Sequence, residues 1–171
     1  MNSKIVKKIG VVLRPSTPEL KDGYIKMETI FKNYDIEVML EQQSAKMIGT
    51  LGSDFEEICQ KCDCLVSFGG DGTLISTVRK SFDFDIPILG VHAGNLGFLA
   101  DLSLDELDDF VQKIIKHRYR VDERAVLEAT VIKNDKEVKY YAFNDIVLTR
   151  TRVSNMIHIE TLIDSRSFNT Y

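Results

Sequence analysis

The chain has 171 residues, of which 44% are hydrophobic and 28% are charged, which is enough for one compact domain or two small ones. Its net charge of −4 excludes the basic surface typical of nucleic-acid binding, and no stretch approaches the roughly 20 apolar residues that a membrane span requires. The amino terminus has no signal-type apolar core, so we expect a cytoplasmic protein with neither nucleic acid nor membrane as a partner.

The first hundred residues alternate between short apolar runs and helical patterns. Apolar residues at spacings of three and four from Leu20 to Tyr34 predict a helix, and Ser53 with Glu56 forms a capping-box pattern that predicts another. Such alternation favours a parallel sheet with helices on its faces, whose ligands bind beyond the carboxyl ends of the strands. The predicted strands are Ile9 to Leu13, Ile36 to Leu40, Cys64 to Phe68 and Ile86 to Val91.

A second capping box, Ser103 with Glu106, predicts a helix that runs to about His117. After this helix the spacing of the apolar residues changes. Consecutive strands joined by polar turns then indicate an antiparallel sheet. The predicted fold class is α/β: a parallel-sheet domain over residues 1–118, followed by an antiparallel all-β domain over 119–171. Three strands leave a face and two edges uncovered, so this second domain looks incomplete. These strands are Ala125 to Ile132, Val138 to Leu148 and Met156 to Ile163.

Three glycines and a carboxylate occupy the predicted strand-to-helix turn Ser67-Phe68-Gly69-Gly70-Asp71-Gly72-Thr73-Leu74. Glycines permit positive φ and close approach of a ligand, and the N–H groups of the next helix point at an anion. Asp71 would then stand beside a bound phosphate and could serve a hydroxyl nucleophile or a metal ion. The alternative is a plain connection in which Asp71 caps the helix. Neither the P-loop nor the Rossmann glycine pattern fits this turn.

A second glycine-rich stretch, Gly90 to Leu99, follows the last predicted parallel strand. It could pass beside a flat ligand with Phe98 against a ring, or it could be a bulged loop with Phe98 in the core. His92 is a candidate general base, although a structural, hydrogen-bonded histidine is the better interpretation.

The third stretch is Asn144-Asp145, an amide and a carboxylate that the pattern places inside an apolar strand. Adjacent strand residues face opposite sides, so one of the two would be buried at a cost. This pair can accept hydrogen bonds from ribose hydroxyls or an amide, or it can mark a β-bulge in which Asn144 satisfies local backbone groups.

Three clustered cysteines, Cys59, Cys62 and Cys64, could suggest a metal site. Because no histidine has matching spacing, we interpret them as buried small hydrophobic residues.

These motifs, in this order and at similar spacing, resemble those of the ATP-dependent NAD kinases. The first is shared with diacylglycerol and sphingosine kinases and, more loosely, with phosphofructokinases, whereas the second and third single out NAD kinase. The resemblance extends from about Ile9 to Tyr171. The motifs are Gly69-Gly70-Asp71-Gly72-Thr73, the stretch from Gly90 to Asp101, and Phe143-Asn144-Asp145.

The resemblance implies transfer of the γ-phosphoryl group of ATP to the 2′-hydroxyl of the adenosine ribose of NAD, giving NADP. It implies the substrates NAD and ATP, Mg²⁺ or another divalent cation, and a homodimer or homotetramer; it assigns no metal-ligating side chain. Many members have Asn-Glu where this chain has Asn144-Asp145. It assigns the catalytic aspartate to Asp71, dinucleotide contacts to Gly70, Gly72 and Thr73, a position near the adenine to Phe98, and ligand binding to Asn144, Asp145 and Asn155.

Members of that family continue with an Asp-Gly segment and a Thr/Ser-Gly-Ser/Thr-Thr-Ala-Tyr segment, and neither occurs here. We therefore expect a fragment of an NAD kinase, with little catalysis by this chain alone. The alternatives are a lipid kinase of the diacylglycerol type and a non-catalytic domain that senses NAD(H) or ATP. An ionised Asp71 near a helix N-terminus would have a lowered pKa and be a weak base, so orienting the hydroxyl or holding Mg²⁺ are its other expected roles.

Overall fold

A five-stranded parallel sheet forms the first part of the chain. The computed structural model describes residues 6–94, 96–149 and 157–170. The strand order is β2-β1-β3-β4-β5, and every neighbouring pair is parallel. This confirms the parallel sheet predicted from the alternating pattern. The strands are β1 (Lys8–Leu13), β2 (Glu37–Leu40), β3 (Cys64–Gly69), β4 (Ile88–His92) and β5 (Leu102–Ser103).

Helices cover both faces of this sheet. Leu65 and Val66, adjacent in β3, belong to different hydrophobic clusters because successive strand side chains point to opposite faces. The larger cluster packs α1 and α5 on one face, and the smaller one packs α3 on the other. The helices are α1 (Lys21–Lys32), α2 (Gln42–Ile48), α3 (Phe55–Lys61), α4 (Asp71–Ser81) and α5 (Leu107–Ile115), with one-turn 3-10 helices at Pro18–Leu20 and Phe82–Phe84.

Of the two predicted capping boxes, one is wrong and one is confirmed. Asp54, not Ser53, caps α3, because its carboxylate accepts hydrogen bonds from the N–H groups of Glu56 and Glu57. Ahead of α5, Ser103 N–H donates to Glu106 Oε2 at 3.0 Å and Glu106 N–H donates to Ser103 Oγ at 3.3 Å. The α2 helix and the short strand β5 were not predicted.

The second part of the chain forms two antiparallel hairpins, which confirms the predicted change of architecture. The strand predicted to reach Leu148 ends at Ala142, and Met156, the predicted start of the third strand, lies outside the described residues. The prediction of three strands is wrong, because a fourth strand, Arg166–Thr170, pairs with Glu160–Ile163. Most hairpin side chains are exposed. The boundary at 118/119 stays a prediction. The strands are β6 (Leu127–Lys133), β7 (Lys136–Ala142), β8 (Glu160–Ile163) and β9 (Arg166–Thr170).

Two of the three cysteines lie in the smaller hydrophobic cluster. Cys59 and Cys62 are buried beside Ile58 and Leu65, and this burial raises the pKa of each thiol to about 11. This confirms the interpretation of Cys59 and Cys62 as buried small hydrophobic residues.

Within the described ranges, no helix is long and apolar enough to cross a membrane.

Candidate active site

Asp71 lies at the carboxyl end of β3, at the first position of α4. Gly70, the residue before it, is the N-cap and has extended backbone, with φ −131° and ψ −172°. The Asp71 side chain does not cap this helix, since its carboxylate is bound to another loop. The alternative interpretation of Asp71 as a helix cap is therefore wrong.

Three consecutive backbone N–H groups surround the Asp71 carboxylate. Phe98 N–H donates to Oδ2 at 2.9 Å, while Leu99 N–H and Ala100 N–H each donate to Oδ1 at 3.1 Å. These donors, that of Ala100 first, hold the pKa of Asp71 below its ordinary value, because they stabilise the ionised form. The first two motifs thus meet at one charged group.

The glycines of the turn leave space around the backbone, and none of them adopts an unusual backbone angle. A Cβ added to Gly69 would lie 2.9 Å from Arg14 Cβ and 3.0 Å from Thr73 Cβ, so that position has no room for a side chain. A Cβ on Gly70 or Gly72 would have no heavy atom within 4 Å. No glycine of this turn has positive φ, so that part of the prediction is wrong. The open space beside Gly70 and Gly72 leaves their backbone accessible to a ligand.

Phe98 is fully exposed, with its side chain directed away from the hydrophobic core. The interpretation of Phe98 as a core residue is therefore wrong, and its ring is free to contact a flat ligand. His92 Nδ1–H donates to the carbonyl oxygen of Gly94 at 2.7 Å, because a carbonyl can only accept. This bond confirms the interpretation of His92 as a structural histidine.

Asn144 and Asp145 follow the end of β7 and are both exposed. The argument that one of them is buried inside a strand is therefore wrong, because the strand stops at Ala142. Asn144 nevertheless lines a cavity of about 480 Å³ together with Leu99, whose N–H binds Asp71. Asp145 does not line this cavity, and Asn155 lies outside the described residues.

Sequence reasoning missed one wall of this cavity. This wall is formed by Asp122, Glu123, Arg124 and Ala125. Arg124 forms an ion pair with Asp122 at 3.0 Å. The available signal was a run of three charged residues, 122–124, immediately before the change to the strand period. Such runs are usually solvated surface, so the run alone does not predict a cavity.

The described residues do not form a Mg²⁺ site held by protein side chains alone. A carboxylate has about four acceptor positions, and at Asp71 three of them take backbone N–H groups. Within the described part of the chain, no three His, Cys, Asp or Glu residues are grouped to hold a metal ion. Mg²⁺ commonly binds through one or two carboxylates and the phosphates of a substrate.

The sequence model of the ATP-NAD kinase N-terminal domain matches residues 9–119, a range that includes the Asp71 turn and the Phe98 loop. The chain belongs to the ATP-NAD kinase family. It aligns with curated NAD kinases over almost its whole length. It is 75% identical over 171 residues to the NAD kinase of Sulfurimonas denitrificans, covering 100% of this chain and 60% of that protein. It is 45% identical over 166 residues to the NAD kinase of Wolinella succinogenes, covering 97% and 57%.

The fold of this ATP-NAD kinase family chain resembles that of yeast NADH kinase solved in complex with NADH. The TM-score is 0.84 at 22% sequence identity, and the similarity covers 98% of this chain and 55% of the yeast chain. At this identity the likeness shows the fold alone. The chain spans about 60% of the length of the Sulfurimonas denitrificans relative.

Proposed function

We propose that this chain is the part of an NAD kinase that carries the reacting aspartate, and that the enzyme transfers the γ-phosphoryl group of ATP to the 2′-hydroxyl of the adenosine ribose of NAD. One structural observation supports this proposal most strongly. The Asp71 carboxylate binds the amides of the Phe98 loop, and Leu99 of that loop lines the cavity that Asn144 also lines. The three motifs are thereby contiguous in space.

In this mechanism Asp71 orients the hydroxyl and does not act as a strong base. Its pKa is lowered by the amides of Ala100, Phe98 and Leu99, so the carboxylate is ionised at neutral pH and has little affinity for a proton. Three of its roughly four acceptor positions are used, which leaves one for the O–H of the ribose. The aligned hydroxyl oxygen then attacks the γ-phosphorus as the bond to ADP breaks, and the hydroxyl proton, made acidic by the forming O–P bond, passes through the Asp71 carboxylate to solvent. Phosphoryl transfer depends chiefly on such alignment and on compensation of charge.

The first turn of α4 is the proposed contact for the phosphates. The first N–H groups of a helix lack the usual acceptor four residues earlier, and among the described residues no side chain caps α4. One of these groups, the N–H of Thr73, donates to the carbonyl oxygen of Gly70 at 3.0 Å. Gly70, Gly72 and Thr73 lie at this turn, and the first two have open space beside them. A divalent cation, required here only on the family resemblance, would be bound mainly by the nucleotide phosphates.

The dinucleotide would lie between the Phe98 loop and the cavity. The exposed Phe98 ring is placed to stack on the adenine, and Asn144 can hydrogen-bond to the ligand from the cavity wall. Asp145 and Asn155 keep their proposed binding roles on the resemblance alone. A homodimer or homotetramer is also proposed on that basis, and a cytoplasmic location is proposed on the composition of the sequence.

The decisive experiment replaces the matching segment of the Sulfurimonas denitrificans NAD kinase with these 171 residues and assays the chimera beside the chain alone. We expect the chimera to convert NAD and ATP to NADP and ADP, and the chain alone to do so poorly. The control is the same chimera with Asp71→Asn, which we expect to be nearly inactive. Phosphorylation of diacylglycerol would instead support the lipid kinase alternative, and nucleotide binding without turnover in the chimera would support a sensor.

A further inference from the structure

Gly97 lies beside the Asp71 carboxylate, on the amino-terminal side of the three amides that bind it. A Cβ added to Gly97 would lie 2.8 Å from Asp71 Cγ and 3.0 Å from Asp71 Oδ2, and closer still to Oδ1. Real Cβ atoms essentially never approach other atoms this closely, so the carboxylate or the loop would have to move. The requirement is for space only, because Gly97 does not have the left-handed φ that would itself exclude a side chain.

We infer that Gly97 is a positioning residue of the dinucleotide site: the lack of a side chain there lets Asp71 anchor the loop, and the anchored loop presents Phe98 to the ligand. This inference rests on the proposed function. It adds Gly97 as a residue that affects ligand binding through Asp71 and Phe98. The anchor consists of three consecutive charge-assisted hydrogen bonds, at 2.9, 3.1 and 3.1 Å.

The exposure of Phe98 makes such an anchor necessary. Its side chain is fully exposed, so contacts with the protein core do not hold the ring in place. The backbone N–H of the same residue is bound to Asp71 Oδ2, which fixes the point from which the ring projects. Holding this loop before binding reduces the conformational entropy lost when a ligand is captured.

Hydrogen exchange of the backbone amides in the 171-residue chain tests the anchor directly. We expect Gly97→Ala to accelerate exchange at Phe98, Leu99 and Ala100 by about tenfold, because hydrogen bonds to a charged group are lost. The matched control is Gly94→Ala in the same loop, where an added Cβ would have no heavy atom within 4 Å and φ is again not left-handed. It should leave these three rates unchanged.

Asp71→Asn supplies a second route to the same result, should Gly97→Ala fail to fold. An amide group replaces one acceptor oxygen by a donor, so it cannot accept from all three N–H groups at both atoms. Faster exchange at Phe98 to Ala100 in this variant supports the anchor. Rates equal to those of the wild type in both Gly97→Ala and Asp71→Asn overturn it.

Titration of the chimera with NAD separates positioning of Phe98 from a general structural effect. We expect Gly97→Ala to weaken NAD binding about tenfold when Phe98 is present but less than about twofold in a Phe98→Ala background, because residues that act through one another are not additive. An equal loss in both backgrounds overturns the inference. If the chimera with the Sulfurimonas denitrificans enzyme binds no NAD while the exchange contrast is present in the 171-residue chain, the proposed function fails and the anchored loop stands.

Discussion

The ring of Phe82 stacks on the ring of Tyr141, with centroids 4.3 Å apart and planes inclined by 25°. Phe82 begins the turn after α4, the helix that starts at Asp71, and Tyr141 lies in β7, three residues before Asn144. The contact therefore joins the helix that begins at Asp71 to the hairpin that leads to the cavity. It is a direct contact between the residue that follows α4 and the strand β7.

A double-mutant cycle of Phe82→Ala and Tyr141→Ala should give a coupling of about 0.5–1.5 kcal/mol in the free energy of unfolding, the usual value for a stacked aromatic pair. Urea denaturation measures it. Tyr141→Phe is the control, since it removes only the hydrogen bond that the Tyr141 hydroxyl donates to Glu128 at 3.1 Å and keeps the stacking. Strict additivity of the two alanine substitutions would show that the rings do not stabilise each other.

Phe98→Ala should weaken NAD binding without affecting stability. Stacking of an aromatic side chain on a base contributes about 1–3 kcal/mol, so a loss of at least about fivefold in affinity is expected. The melting temperature should not change, because the ring is fully exposed. Leu51→Ala is a matched control, being 94% exposed and distant in sequence from the three motifs. Calorimetric titration with NAD that finds equal affinities for all three proteins would remove Phe98 from the site.

Alanine substitutions at Gly69 and Gly72 should separate stability from binding. At Gly69 the new Cβ meets Arg14 and Thr73, and overpacking of this kind costs about 1–3 kcal/mol. At Gly72 the space is open and the residue is helical, so alanine should stabilise the chain by about 0.5–1 kcal/mol while obstructing the phosphates. Thermal unfolding and binding of ATP measure the two effects. Unimpaired ATP binding by Gly72→Ala would show that no ligand approaches this backbone.

The stabilising effect of Asp71 should disappear in acid. Its pKa is lowered in the folded chain, by the amide of Ala100 first, so its contribution is complete above the unfolded value of about 3.9 and is lost as the pH falls through the lower folded value. The melting temperatures of the wild type and Asp71→Asn should differ at pH 6 and converge as the pH falls below about 4. A difference that stays constant with pH would show that ionisation of Asp71 does not stabilise the loop.

The architecture of the first domain was predictable because its signals are local. Apolar runs such as Cys64 to Phe68 and helical spacings such as Leu20 to Tyr34 record the period of each element directly. The errors arose where two residues competed for one role or where an element was too short to show a period. Asp54 replaces Ser53 as the cap of α3, and β5 has only two residues.

The residues that form the candidate site were predictable, but the hydrogen bonds between them were not. Glycines around Asp71 indicated a place where backbone is accessible, which the space beside Gly70 and Gly72 bears out. The bonds from Asp71 to Phe98 and Leu99 join residues 27 and 28 positions apart, and no local pattern encodes such a pairing. The sequence does not distinguish Gly97 from the other glycines of its loop, because the inferred role of Gly97 depends on a carboxylate from a different element.

The distance from the Asp71 carboxylate to the ribose 2′-oxygen, in a crystal structure of the chimera with bound NAD, tests the central claim most directly. The account predicts a hydrogen bond of about 2.7 Å with the three amides of Phe98 to Ala100 still bound to the carboxylate. A 2′-oxygen beyond hydrogen-bond reach of Asp71 would contradict it.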